Sequence, residues 1–192
     1  MSFKIVDCKM LIPDFNPYPT LTTERLLLRR IELSDANDLF ILRSDERMMK
    51  YLDRPRAKTK EDAEKLVQIF KDLLIKNEGI NWGITLKDNS RLLGTICFWK
   101  LQLENERSEI GYMLHSDFHR KGIMQEAITA VLNYGFNELK LHSVEANVNP
   151  ENTASIKLLE KNNFVREAYF KENYFYNGKF LDSAIYSLVK SK

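Results

Sequence analysis

Residues 119–122, His-Arg-Lys-Gly, set two cations and an imidazole beside a glycine. Around this cluster the hydrophobic period changes. Arg107–Leu114 reads as a strand, and His115–Lys121 as a short basic turn. From Gly122, apolar positions at Ile123, Ala127, Ala130, Val131 and Tyr134 recur at helical spacing. A helix that begins there offers unpaired N–H groups and a partial positive charge, the chemistry that binds phosphate. Gly122 has no side chain to hold a ligand off the backbone. The residues alone therefore describe an anion site suited to a diphosphate, or, more plainly, a solvated basic turn that caps a core helix.

The elements that position this turn can be read in order. Pro13, Pro17 and Pro19 make residues 1–20 an extended arm, and residues 21–192 read as one domain. Leu21–Ile31 is a strand, with Leu26–Leu28 apolar on both faces. Ser34 reads as the N-cap of a first helix that buries Leu39, Phe40 and Leu42, and Asp45–Leu52 as another short helical stretch. Thr59 and Asp62 form a capping-box pattern for a helix to about Lys76, with Leu66, Ile69, Phe70, Leu73 and Leu74 on one face and Gly79 at its end. Ile80–Leu86 and Arg91–Leu103 are strands joined at residues 87–90, and Gly94 marks a bulge. Leu141–Val148 is a strand, Thr153–Lys161 a helix with Asn163 just past its end, and Phe164–Phe175 and Phe180–Val189 a hairpin turning at Asn177-Gly178. This order makes an α/β fold with a mostly antiparallel sheet of about seven strands.

Composition narrows the function. The net charge of +2, from 29 basic and 27 acidic side chains, is no polyanion footprint, so nucleic acid is not an expected partner. Cys8 and Cys97 support neither a disulfide framework nor a metal site, and His115, His119 and His142 are too scattered for one. Met1–Met10 lacks an apolar signal core, and no run is long enough to cross a membrane, which leads to the expectation of a cytoplasmic protein. Cys97 reads as core. Phe170, Tyr174, Phe175 and Tyr176 read as core strand aromatics or, alternatively, as the lining of an acceptor groove.

Three segments in sequence resemble the GNAT acetyltransferases. His119–Met124 resembles their acyl-CoA loop, Gln/Arg-x-x-Gly-x-Gly/Ala, with only the central Gly122 retained. Val144–Phe164 resembles the RimJ/RimL branch, which contains ribosomal-protein N-terminal acetyltransferases, through Asn152, Ser155, Glu160, Lys161 and Phe164; Asn163 replaces a glycine. Thr22–Arg29 and Ser108–Tyr112 resemble the same branch. The likeness spans roughly residues 20–190.

The resemblance implies helices on both sheet faces, a central parallel strand pair that splays, and transfer of acetyl from acetyl-CoA to a primary amine without a metal. It implies a protein α-amine as acceptor, such as a ribosomal protein's; a small amine (polyamine, amino acid or aminoglycoside) and a catalytically silent CoA-binding module are the alternatives. It casts Glu109 as the base, directly or through water, and Ser155 as hydrogen-bond donor to the coenzyme sulfur. The coenzyme would lie along Tyr112, Met113, Leu114, His119, Arg120, Lys121, Gly122, Ile123, Met124, Asn147, Asn152 and Ser155. The tyrosine acid that many members carry falls at Leu159 and is missing. Monomer and homodimer both fit.

Overall fold

A computed structural model describes residues 13–190; Cys8, the Met1–Met10 segment and most of the expected arm lie outside them. The elements are β1 (Leu21–Thr22), β2 (Leu26–Arg30), α1 (Ala36–Ser44), α2 (Glu46–Met49), α3 (Lys60–Ile75), β3 (Gly79–Leu86), β4 (Asn89–Gln102), β5 (Arg107–Leu114), α4 (Ile123–Asn137), β6 (Ser143–Val148), α5 (Thr153–Lys161), β7 (Val165–Tyr176) and β8 (Lys179–Val189). They form one sheet of eight strands, ordered β1-β2-β3-β4-β5-β6-β8-β7. All pairs are antiparallel except β5–β6, which α4 connects.

Strand alternation sends neighbouring residues into different cores. Leu93 and Leu114 join Ile96, Phe98, Val144 and the α4 residues Ile123, Ala127, Ile128 and Val131 in one cluster. Leu92 and Met113 join Leu39, Leu42, Ala63 and Val67 of α1 and α3 in the other. The helices thus cover both faces. Gly135 lets α4 approach the sheet, since a Cβ there would meet the Phe98 ring at 2.7 Å.

Several boundaries differ from the sequence reading. The single first strand is two, because Thr23–Arg25 turns the chain so that Leu21 pairs Leu28; this makes eight strands rather than about seven. Ser34 lies within a 3-10 turn; Asp35 takes the N-cap position of α1 without a side-chain cap bond, its carboxylate instead accepting the Glu32 amide at 2.8 Å and pairing with Arg29. Gly79 does not end α3: Asn77 takes the left-handed position and Gly79 opens β3. The α3 face of Leu66, Ile69, Phe70 and Leu73 walls a cleft, while Leu66 and Phe70 also pack against the second core cluster. The capping box, Asn163 in the left-handed region and the Asn177-Gly178 turn are as read.

Candidate active site

The parallel pair that holds the sheet together also opens it. β5 and β6 pair only at Arg107–Ser143, Ser108–Val144 and Glu109–Glu145. Past that point each strand keeps its outer neighbour, β5 on β4 to Leu114 and β6 on β8 to Val148, so the inner edges part. Arg107 donates to Glu145 at 2.5 Å and clamps the closed end. From Ile110 onward, the β5 edge facing the gap has no strand partner, and its N–H and C=O groups need partners from elsewhere.

A cleft of about 260 Å³ runs through this opening. Its walls are β5 (Glu109–Met113), β6 with its following turn (Ala146–Asn149), Asn152 and Ser155 at the start of α5, β4 through Cys97 and Trp99, and the inner face of α3. Asn152 caps α5, its side-chain oxygen accepting the Ser155 amide at 3.2 Å. That cap turns Ser155 toward β5, where its Oγ lies 2.7 Å from Tyr112 Oη across the gap. Burial pushes the Tyr112 phenol up to about 12, with Ser155 pulling the other way, so Tyr112 stays protonated at neutral pH.

Glu109 is 7% exposed, and burial raises its carboxyl above the ordinary carboxylate value. Lys100 Nζ, 2.8 Å from Oε2, opposes that shift. A bulge delivers the lysine. Trp99 pairs with Glu109 and Gln102 with Arg107, leaving one extra residue on β4, and Lys100 takes a left-handed φ of 51°.

Beyond the end of β5 the chain makes the basic turn. Arg120 and Gly122 both have positive φ, 60° and 75°, and Gly122 is the N-cap of α4 with no side-chain cap. The first-turn amides of α4 are therefore free of protein side chains at that end. The Thr23–Arg25 turn braces it. Glu126 accepts from Thr23 Oγ1 at 2.5 Å, from the Arg25 amide at 2.8 Å and from Arg25 Nε at 2.7 Å, while Arg25 Nη1 donates to the Lys121 carbonyl at 3.0 Å. This contact accounts physically for the Thr22–Arg29 segment: it fixes the turn that starts α4.

The sequence-derived set is thus split in space. Glu109, Tyr112, Met113, Asn147, Asn152 and Ser155 line the cleft; Leu114 and His119–Met124 lie outside it, at the end of β5. His119 Nε2 donates to the Leu114 carbonyl at 2.8 Å, tying the turn to the strand. Ile123 and Met124 bury their side chains, so only their backbone faces a ligand. Leu159, where a tyrosine was absent, is core at 1% exposure. Cys97 is in the cleft wall rather than closed core, and burial pushes its thiol up to about 11, so it stays protonated at neutral pH. Phe170 and Phe175 are exposed rather than core, Tyr174 donates to Asp53, and Tyr176 lines a second groove under the β7–β8 hairpin. Among the described residues no group of three His, Cys, Asp or Glu converges on a metal position, and no helix is long and apolar enough to cross a membrane.

Sequence reasoning missed Lys100, Arg43, Arg54 and the meeting of Tyr112 with Ser155. The first three act across elements and leave no local pattern. Tyr112 was expected along the coenzyme, but its hydrogen bond with Ser155 joins residues on two separate elements and leaves no sequence pattern.

Comparison with known proteins identifies the family and the fold. Residues 25–165 match the family described as "Acetyltransferase (GNAT) domain". The chain is 35% identical over 175 residues to the "Uncharacterized N-acetyltransferase YoaA" of Bacillus subtilis (strain 168), covering 91% of this chain and 99% of that protein. It is similar to the crystal structure of a GNAT-family acetyltransferase from Bacillus anthracis, at 31% identity and a TM-score of 0.80 over 89% of this chain and 98% of that one. It shares its fold, at 22% identity and a TM-score of 0.82, with RimL, a ribosomal L7/L12 α-N-protein acetyltransferase solved with coenzyme A; that likeness covers 89% of this chain and 98% of RimL.

Proposed function

The chain belongs to the GNAT acetyltransferase family and is an acetyl-CoA-dependent N-acetyltransferase, and from that premise we propose that its acceptor is the α-amine of a protein N-terminus, acetylated by direct attack in a ternary complex. The observation that carries the acceptor class is a pair of neighbouring cavities that share lining residues. The cleft of about 260 Å³ at Glu109 and the groove of about 660 Å³ under the β7–β8 hairpin share Tyr51, Leu52, Arg54 and Asn149 as lining. An amine at Glu109 can therefore trail a polypeptide into the groove, which a small amine would leave unfilled.

The residues fit an acyl-CoA donor. The unpaired edge of β5 from Ile110 suits pantetheine amides, as an added strand would. The bare Gly122 start of α4, with Arg120 and Lys121 beside it, suits the diphosphate. When bound, acetyl-CoA supplies an acetyl group activated as a thioester.

The chain's own groups then divide the proton work. Glu109 takes the proton that the amine loses as its nitrogen bonds to the acetyl carbon. An α-amine of pKa ~8 is about one-tenth neutral at pH 7, whereas a lysine amine of pKa ~10.4 is below about 0.1% neutral. A carboxylate already bonded to Lys100 is a modest base, and it suits the first kind of amine. When the C–S bond breaks, negative charge collects on sulfur. Tyr112 donating to Ser155 leaves the Ser155 O–H free to aim at that charge. The paired hydroxyls stabilise the thiolate by a hydrogen bond, and the departing thiolate takes its proton from water, since no tyrosine stands at the Leu159 position to give one.

The test is acetyl transfer from acetyl-CoA to synthetic N-terminal peptides, read by mass spectrometry with the site located by fragmentation. Acetylation at the α-amine, at rates above those for spermidine and free lysine side chains, is the expected result. Preference for spermidine or aminoglycosides over every peptide would overturn the acceptor class and leave the transferase.

A further inference from the structure

The acceptor end of the cleft holds two arginines with no carboxylate oxygen within 4.0 Å among the described residues. Of the eleven arginines in the chain, seven (Arg25, Arg29, Arg30, Arg47, Arg56, Arg91 and Arg107) lie within 4.0 Å of a carboxylate oxygen. Of the remaining four, Arg120 is in the turn before α4 and Arg166 is on the exposed face of β7. The other two, Arg43 and Arg54, line the same cleft as Glu109.

Arg43 projects from the last turn of α1 and is half-buried. Its side-chain contact is the Met49 sulfur at 4.0 Å, no acid at all. Burial, with the like charge of Arg54 second, brings its guanidinium down to about 10. Arg54 follows α2, with its guanidinium 5.9 Å from the centre of the Trp99 ring beside Glu109. The buried amide nitrogen of Asn81, in the same wall, has no acceptor among the described residues. The acid in this lining, Glu109, is already bonded to Lys100. Arg54 feels the Glu109 charge, but Lys100 already holds that carboxylate, and Arg43 and Arg54 repel each other across the wall; an anionic ligand relieves that repulsion.

The anion is not the diphosphate proposed for Gly122. Leu114 lies five residue steps along β5 from Glu109, about 16 Å of strand, and the basic turn lies beyond that.

We infer that the acceptor is an amine bearing a carboxylate or phosphate near its nitrogen, held by Arg43 and Arg54 while the amine reaches Glu109. This rests on the proposed transfer at the same cleft and narrows its acceptor. An acidic residue next to a protein N-terminus and the carboxylate of a free amino acid offer the same chemistry. A polyamine, carrying only positive charge, is opposed by both arginines.

The experiment compares kcat/KM for Ser-Asp-Ala-amide, Ser-Ala-Ala-amide, Ser-Lys-Ala-amide, free serine and spermidine, in wild type and in Arg54→Gln and Arg43→Gln. The expected order is acidic over neutral by about tenfold, the scale of one charge-assisted hydrogen bond, with the basic peptide and spermidine lowest. The acidic-to-neutral ratio falls toward one in Arg54→Gln. Free serine matching the acidic peptide assigns the anion to an amino-acid carboxylate; the peptide alone assigns it to a polypeptide side chain. Equal rates for the three peptides, or a ratio untouched by Arg54→Gln, overturn the inference while the α-amine reading stands. Arg54 is exposed, so its variant tests the idea even if Arg43→Gln fails to fold. A second measurement needs no turnover: calorimetric binding of acetyl-Ser-Asp-Ala-amide and acetyl-Ser-Ala-Ala-amide. Tighter binding of the acidic product, by about tenfold and dependent on Arg54, supports the inference even if no peptide is turned over, a result that would count against the acetyl-transfer reading alone. Equal binding overturns it.

Discussion

Replacing Lys100 by methionine keeps the stem of the side chain and removes its charge from Glu109. Nζ and Oε2 are 2.8 Å apart. Two unit charges at that separation attract by about 1.5 kcal/mol in a water-like dielectric, and by about 6 kcal/mol at an effective dielectric of ~20. The lysine side chain is 54% exposed, so the lower figure governs. A free energy of that size is about tenfold in an equilibrium constant, and its loss in Lys100→Met raises the Glu109 pKa further. The direction follows from the two opposing causes. Burial already holds the carboxyl above its ordinary value, and Lys100 pulls it back. A base works only when ionised, so the acid limb of kcat/KM moves to higher pH. On the acid side the variant is then about tenfold slower, and well above the limb the two enzymes converge. The assay is thiol release from acetyl-CoA, with an N-terminal peptide as acceptor, between about pH 5 and 9. Stability supplies an independent reading. A carboxyl with a raised folded pKa contributes stability below its unfolded pKa and loses it as pH rises through the folded one. The variant should therefore melt lower than wild type above the limb, and the gap should close below it. A limb that stays put, or moves to lower pH, in a folded Lys100→Met protein refutes Glu109 as the titrating base.

Other expectations follow from the same geometry. Glu109→Gln should lower kcat by about 10²-fold and remove the acid limb, with KM for acetyl-CoA little changed; an unaltered profile assigns Glu109 to scaffold. Ser155→Ala should lower kcat by about 10²-fold, on the scale of one lost donor to developing charge, and Tyr112→Phe by less, since it acts through Ser155. Because the two hydroxyls are 2.7 Å apart, the double variant should fall short of the product of the singles; fully multiplicative losses would show that they act separately. Gly122→Glu should abolish coenzyme A binding in calorimetry, since it sets a carboxylate at the helix start and a side chain at a φ of 75°; unchanged affinity in a folded variant would remove the turn from the coenzyme site.

Local chemistry made much of this protein legible before any coordinates. Period changes around Gly122, the Thr59/Asp62 capping pattern and the Asn177-Gly178 turn rest on contacts within a few residues, and they sit where the sequence put them. Errors came where a distant partner overrides local preference. Thr23–Arg25 looks like strand but turns, because Glu126, about a hundred positions on, binds both residues. The α3 stripe is legible as one apolar face, but that it walls a cleft depends on where β5 and β6 part. No spacing rule reports where two parallel strands cease to pair, since each residue of β5 has the same local pattern whether its neighbour is β6 or a ligand. The same holds for the site. Glu109 and Ser155 are nameable from motifs, but the Lys100 counter-charge depends on a one-residue bulge, the Tyr112 hydroxyl on the opening itself, and the unpaired Arg43 and Arg54 on what the fold leaves out of reach. Sequence alone determined the elements and the chemistry available to them, because periodicity and capping are local. Tertiary structure alone decided which groups meet, and which charges stay without a partner, because those depend on distances between segments far apart in the chain.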